Sequence, residues 1–241
     1  MNSFISYTKQ LFWLSIFCFC LGLFACKDDT SITPEPSDGL TYFPLTKGFW
    51  IEYVADSIYH RNDDDANLTD TSKDIFHFYI REEIDSSFMD SENQLAYKVM
   101  RYKRSSDLLP WDLINVWTAK VDQHSAQRVE DNIRFIKLKF PVSATTVWQG
   151  NAYNFFQPEE YSYDNLYQPG IYNSLSFDST VTVIQNDFIS AVNRITKTEI
   201  YGAHVGLLFK QLDSVRTANT SQGTIILNGL QYSQKITDYK R

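Results

Sequence analysis

In DIFHFYIREEI, residues 74–84, apolar side chains recur at alternate positions: Phe76, Phe78, Ile80 and Ile84 share one face, His77, Tyr79, Arg81 and Glu83 the other. Successive side chains of a strand point to opposite faces, so this spacing predicts a half-buried β-strand and not a helix, whose apolar positions recur every three or four. The same rule holds at IRFIKLKF, residues 133–140, which sets Ile136, Leu138 and Phe140 opposite Lys137 and Lys139. LSFDSTVTVIQ (175–185), with Phe177, Val181 and Val183 together, VGLLFKQLDSV (205–215) and GTIILNGLQYSQKI (223–236) read as further strands. Between them lie turn-like clusters at Gly202, Asn219 to Gly223 and Asn228-Gly229, the last suited to a two-residue type I′ hairpin because both positions tolerate positive φ. The expectation is all-β: a single antiparallel meander domain of about 8–11 strands, a curled sheet, sandwich or barrel, with at most one or two short helices. Pro110 in SSDLLPWDLINVW marks a short helix or a strand end, and FFQPEEYSYDNLYQPGIYNS, residues 155–174, reads as a long aromatic-rich connection.

The N-terminus follows other rules. Leu11 to Ala25 carries no charge, Lys9 stands just ahead of it, and Lys27-Asp28-Asp29 ends it abruptly. A bilayer span needs about 20 apolar residues, so this shorter run fits the core of a signal peptide. Cys18 and Cys20 lie inside that leader, and Cys26 is the sole cysteine downstream. An exported protein normally uses cysteines in pairs, so a lone one directly after an apolar leader points to an attachment site. The expected organisation is a leader over residues 1–25, a modified Cys26 and flexible linker over 26–39, and a β-rich domain over 40–241. The linker, with Pro34, Pro36 and no periodic apolar face, is a leash that would span roughly 20 Å as a coil.

Composition narrows the partners. Removing a leader whose one charged residue is Lys9 leaves 21 basic against 29 acidic residues, a net charge of −8. No basic stripe stands out, which argues against nucleic acid. Tyrosine is abundant, 15 residues against 9 glycines, and only Tyr7 belongs to the leader, so the aromatic excess is a property of the domain.

Three resemblances follow from particular residues. Leu23-Phe24-Ala25-Cys26 resembles a bacterial lipobox, which implies lipidation of Cys26 and a membrane partner through that lipid. The acidic run Lys27, Asp28, Asp29 resembles the export signal that sends Bacteroidetes-type lipoproteins to the outer face of the outer membrane, which implies surface exposure, with the periplasmic face as the alternative. YFPLTKGFWIEYVADSI, residues 42–58, is similar to the opening of uncharacterised Bacteroidetes lipoproteins, and EIYGAHVGLLFKQLDS, residues 199–214, to their closing hairpin. The resemblance implies a fold type and no activity.

Candidate sites are sparse. Asp63, Asp65, Asn67, Thr69, Thr71 and Asp74 fall at positions 1, 3, 5, 7, 9 and 12 of a calcium-loop spacing, but Leu68 stands where an EF-hand turn needs Gly and no helices flank it. A solvated hairpin loop explains the same residues. His60, His77, His124 and His204 show no metal-binding spacing, no Gly-x-Ser-x-Gly is present, and no cofactor is implied. Glu159 and Glu160 set among Tyr161, Tyr163 and Tyr167 form the one place where carboxylates and aromatic platforms meet, as in glycan sites. Three function classes follow. The first is a non-enzymatic surface module for a glycan, peptide or envelope-complex partner; the second is a carrier of lipid or another apolar ligand in a barrel cavity; the third is a glycan hydrolase. An apolar interior of several hundred Å³ would favour the carrier.

Overall fold

The computed structural model describes residues 39–62 and 71–240, all within one compact unit, Pro36–Arg241. Cys26, Lys27, Asp28, Asp29, Asp63, Asp65 and Asn67 lie outside the described residues.

One antiparallel sheet holds all twelve strands: β1 (Trp50–Asn62), β2 (Thr71–Met89), β3 (Leu95–Arg104), β4 (Asp112–Val121), β5 (Ser125–Glu130), β6 (Ile133–Lys139), β7 (Val147–Gln149), β8 (Glu160–Tyr172), β9 (Leu175–Ile189), β10 (Asn193–Gly202), β11 (Gly206–Thr220) and β12 (Gly223–Lys240). Their order is β6-β5-β4-β3-β2-β1-β12-β11-β10-β9-β8-β7, so every chain neighbour except β6 and β7 is a ladder neighbour, and β1 pairs with β12. The expected meander is present, curled into a nearly closed barrel, with one strand more than the expected range and a single 3-10 turn, Leu40–Tyr42, as its one helical element among the described residues.

Three sequence expectations are corrected. Residues 160–172 are not a connection but strand β8, in which Tyr161 and Tyr163 alternate inward and register shifts between Asp164 and Gly170 absorb Pro169. Asn228-Gly229 is not a turn: the chain reverses at Thr220–Gly223, and Gly229 (φ 123°) sits inside β12 opposite Val215, where a Cβ would come within 2.2 Å of the Ser214 carbonyl oxygen. The hairpin over residues 199–214 is β10–β11, which precedes the closing hairpin β11–β12.

Because β6 and β7 stand at the two ends of the sheet, their facing edges must satisfy backbone groups without a full ladder. Ile136 N–H donates to the Gly150 carbonyl at 3.0 Å, and side chains do the rest. Asn154 Nδ2 donates to the Arg134 carbonyl (2.9 Å) and Trp148 Nε1 to the Ile136 carbonyl (3.0 Å). The Tyr163 hydroxyl accepts from Lys139 N–H (3.0 Å) and donates to the Lys139 carbonyl (2.8 Å). The seam is therefore closed by a column of indole, amide and phenol groups.

A barrel of twelve strands encloses more space than strand side chains readily fill. At one end residues 39–49 fold in as a plug: Tyr42, Phe43 and Phe49 are buried against Tyr201 and Leu207, and Tyr42 bonds Ser179 across the core at 2.6 Å. Around this plug Ile51, Ile84, Val99 and Ala119 leave a residual space of only about 50 Å³. The plugged end is a filled apolar core.

Tyr163→Phe leaves both Lys139 backbone groups unpaired at the seam. We expect a loss of about 2–3 kcal/mol in urea unfolding, with faster amide exchange in β6 and unchanged exchange in the β1–β12 ladder.

Candidate functional site

Directly beside the plug the barrel interior turns polar, with Glu82 and Arg128 lining the same small space as Phe43 and Phe49. Glu82 lies on the inner face of β2, between Ile80 and Ile84, where burial of a carboxylate demands partners. Arg128 of β5 supplies one at 2.6 Å and Arg101 of β3 another at 3.3 Å, and both guanidinium groups lie over the Trp117 ring, 4.8 and 4.5 Å from its centroid. From Arg128 the charges continue to Glu130 (4.0 Å), then to Lys137 (3.6 Å) and Lys210 (4.0 Å). Both lysines meet at Glu199 of β10, at 2.6 and 3.5 Å, and Tyr201 donates to its other oxygen at 2.6 Å. Glu199 is only 1% exposed.

These groups stay charged. Burial pushes the Glu199 carboxyl up, but Lys137 and Lys210 outweigh that and hold it below the usual range. Burial likewise opposes ionisation of Glu130, and Lys137, Lys210 and Arg128 hold it far lower still. Burial works against the Lys137 ammonium, yet Glu130 and Glu199 raise it above its ordinary value.

Above this network lies an open cavity of about 430 Å³ at the end carrying the β5–β6, β7–β8 and β9–β10 turns. Glu130, Lys137 and Phe135 line one side, Tyr161 and Glu159 another, Gln185, Lys197, Lys210 and Leu212 a third, and Asn151, Phe156 and Gln157 of the β7–β8 loop close it over. Two β-bulges aim side chains into it. In the β5–β6 ladder Leu138 faces Ala126 and Ile136 faces Gln127, so Lys137 is the extra residue and turns in; the alternation that set it opposite Leu138 as a solvent-facing lysine is overturned here. In the β9–β10 ladder Asn186 faces Lys197 and Ile184 faces Thr198, so Gln185 is the extra residue. Gln185 is 7% exposed, and its Nε2 finds no hydrogen-bond partner in the protein.

The five residues singled out at 159–167 separate. Glu159 and Tyr161 line the cavity, Glu159 bound to Lys197 at 2.5 Å and to Asn186 at 3.0 Å. Glu160 points to solvent beside Gln149, Tyr163 belongs to the seam, and the Tyr167 hydroxyl donates to the Val142 carbonyl at 2.7 Å. Asp74, the one described carboxylate of the calcium spacing, is ion-paired with Arg61 on the neighbouring strand. Sequence reading missed Glu82, Glu130, Lys137, Gln185, Lys197, Glu199 and Lys210. Glu82 was within reach, since it occupies an inner position of the strand alternation, whereas Lys137 and Gln185 depend on bulges that no local pattern marks.

The same end of the barrel bears exposed apolar side chains. Tyr153, Phe155 and Phe156 stand on the β7–β8 loop, Leu108, Leu109 and Leu113 around the β3–β4 turn, and Phe188, Ile189 and Val192 around the β9–β10 turn.

No protein-family model matches the chain, and no curated protein does. Two solved structures are similar in shape: a "putative lipoprotein" from Parabacteroides distasonis and a "putative exported protein" with YmcC-like fold from Bacteroides fragilis. Each is 9% identical and is matched over 83% of this chain and 98% of its own, with TM-scores of 0.38 and 0.39 respectively. A likeness this distant carries no functional argument, and the site stands on its own residues.

Glu199→Gln leaves Lys137 buried beside a neutral amide, and we expect it to cost about 3–5 kcal/mol. The wild-type pH profile follows from the same groups. Glu130 and Glu199 titrate lower folded than unfolded, so below about pH 4.5 the unfolded chain binds protons that the folded chain refuses, and stability falls on acidification. In the Glu199→Gln variant the slope of unfolding free energy between about pH 4.5 and pH 3 should lessen by up to about 1.4 kcal/mol per pH unit, read by urea titration at each pH.

Proposed function

We propose that the chain is an exported, lipid-anchored module of the cell envelope that binds a small polar ligand in the open end of its barrel and performs no chemistry on it. The observation that carries this reading is the cavity above Glu199, within the range of about 300–1000 Å³ usual for ligand sites and lined by both charged and aromatic side chains. Export and anchoring rest on the lipobox-like Leu23-Phe24-Ala25-Cys26, and placement on the outer face on Lys27, Asp28 and Asp29.

Cavity chemistry separates this reading from its two rivals. A carrier of apolar ligands needs an apolar interior, and here the apolar half is filled while the open half presents Lys137, Lys197, Lys210, Glu130 and Glu159, whose desolvation an apolar guest would not offset. Glycoside hydrolysis needs one carboxyl kept protonated beside one kept ionised. Glu130 and Glu199 are both held ionised by lysines, and Glu159 is engaged by Lys197.

Anchoring is tested by phase partition in detergent: the wild-type chain should enter the detergent phase, and Cys26→Ala should move it to the aqueous phase. If the alanine variant partitions as wild type does, the lipid assignment fails. Protease treatment of intact cells should degrade the domain, and survival until the outer membrane is broken would refute outer-face placement.

A further inference from the structure

The cavity lining is specific about the chemistry it lacks. Three lysines, Lys137, Lys197 and Lys210, face three carboxylates, Glu130, Glu159 and, directly behind, Glu199. The charges cancel, so the cavity has no excess to attract a simple anion or cation. Donors and acceptors are nonetheless left under-used in its lining. Gln185 Nε2 is buried without a partner, Lys210 reaches its carboxylates only at 3.5 and 4.0 Å, and the cation nearest Glu130 is 3.6 Å away. A buried donor without a partner costs about 1–3 kcal/mol, which a bound acceptor recovers.

A hydroxyl group both donates and accepts without carrying charge. Placed over Lys210 and Glu130 it accepts from the ammonium and donates to the carboxylate, and Gln185, on the same lining, holds one further unpaired donor. The remaining wall is aromatic: Phe135 and Phe156 lie 6.2 Å apart with planes 32° from parallel, and both line the cavity. Such faces suit a ring whose C–H bonds project from one side while its hydroxyls project around the edge. Outside the cavity the same loop continues the aromatic surface with Phe155, 80% exposed, and Tyr153, 57% exposed.

We infer that the cavity is a carbohydrate subsite that takes a pyranose ring at the end of a glycan, its C–H face against Phe156 and Phe135 and its vicinal hydroxyls shared among Lys210, Glu130 and Gln185. The inference rests on the binding reading above and adds the class of ligand. Two rival classes have definite signatures: a free amino acid would pair its own charges with Lys210 and Glu130, and a carboxylate anion would displace Glu159 from Lys197.

The test is saturation-transfer NMR on the full lipidated protein in a detergent without a sugar headgroup. Glucose, galactose and N-acetylglucosamine are the sugar probes, alanine the zwitterion and propionate the anion. Irradiating protein aromatic protons should saturate the ring C–H protons of at least one sugar. Phe156→Ala, at a half-exposed side chain, should cut that transfer at least about fivefold with an unchanged melting temperature, and Gln185→Leu should weaken the dissociation constant about tenfold. Binding of alanine or propionate without any sugar would overturn the carbohydrate assignment and leave a polar-ligand module standing. Sugar binding indifferent to both variants would place it elsewhere and overturn the inference. If none of the five probes binds, both the subsite and the polar-cavity reading fall.

Discussion

The buried contact of Lys137 with Glu199, 2.6 Å long and with Glu199 1% exposed, is the interaction on which the rest of the barrel depends. Neither partner tolerates the interior alone, since an isolated buried charge costs several kcal/mol even after relaxation. Together they tie β6, on one side of the seam, to β10, which lies across the interior from it in the sheet order. Backbone ladders hold each strand to its neighbours but place nothing across the lumen. The network Glu82–Arg128–Glu130–Lys137–Glu199, with Arg101 and Lys210 beside it, supplies that cross-lumen tie for β2, β3, β5, β6, β10 and β11. Its geometry is directional in a way that apolar packing is not. The network therefore defines how strands that never pair with one another are placed.

The barrel is thus divided along its axis. At one end Tyr42, Phe43 and Phe49 complete an apolar core; at the other, the open cavity borders the charged layer. Gly39, where the described chain begins, packs against Val142 and Phe140 at the plugged end. A segment N-terminal to Gly39 consequently joins the domain at the end away from the cavity.

The strands were legible because alternate apolar positions mark them: Phe78 to Ile84 and Phe177 to Val183 are read directly from alternation, although Phe76, placed on the same face, stands exposed where β2 runs past the core. The class, the antiparallel order and the single domain follow from them. Alternation fails where a bulge adds a residue, and the site is built at two such places. Lys137 looks like the wet side of an amphipathic strand until the extra residue rotates it inward, and Gln185 ends its strand pattern unremarked. A bulge is decided by the curvature of the whole sheet and by its neighbours, so no local window contains it. Strand β8 was hidden for a related reason: Pro169 and positive φ values at Asn165 and Tyr167 mark a turn by local rules, while pairing to β9 on either side overrides them. Glu159 and Tyr161, singled out as a carboxylate among aromatics, share the cavity wall. Glu160, their equal in sequence, was lost to the pleat that sends adjacent side chains to opposite faces.

Closure of the barrel and the wall of the cavity are built from the same parts. The wall beside it is the β6–β7 seam, where one backbone hydrogen bond and the side chains of Asn154, Trp148 and Tyr163 replace a ladder. The loop that supplies Asn154 also supplies Asn151, Phe156 and Gln157 to the cavity lining. Asn151 Nδ2 holds that loop to its own Gln157 carbonyl at 2.8 Å, and Asn154 pins it to β6. Loop, seam and cavity therefore share one set of hydrogen bonds. Releasing the loop would at once remove Phe156 from the cavity lining and unpair the edge of β6, so the structure couples the cavity wall to the integrity of its barrel.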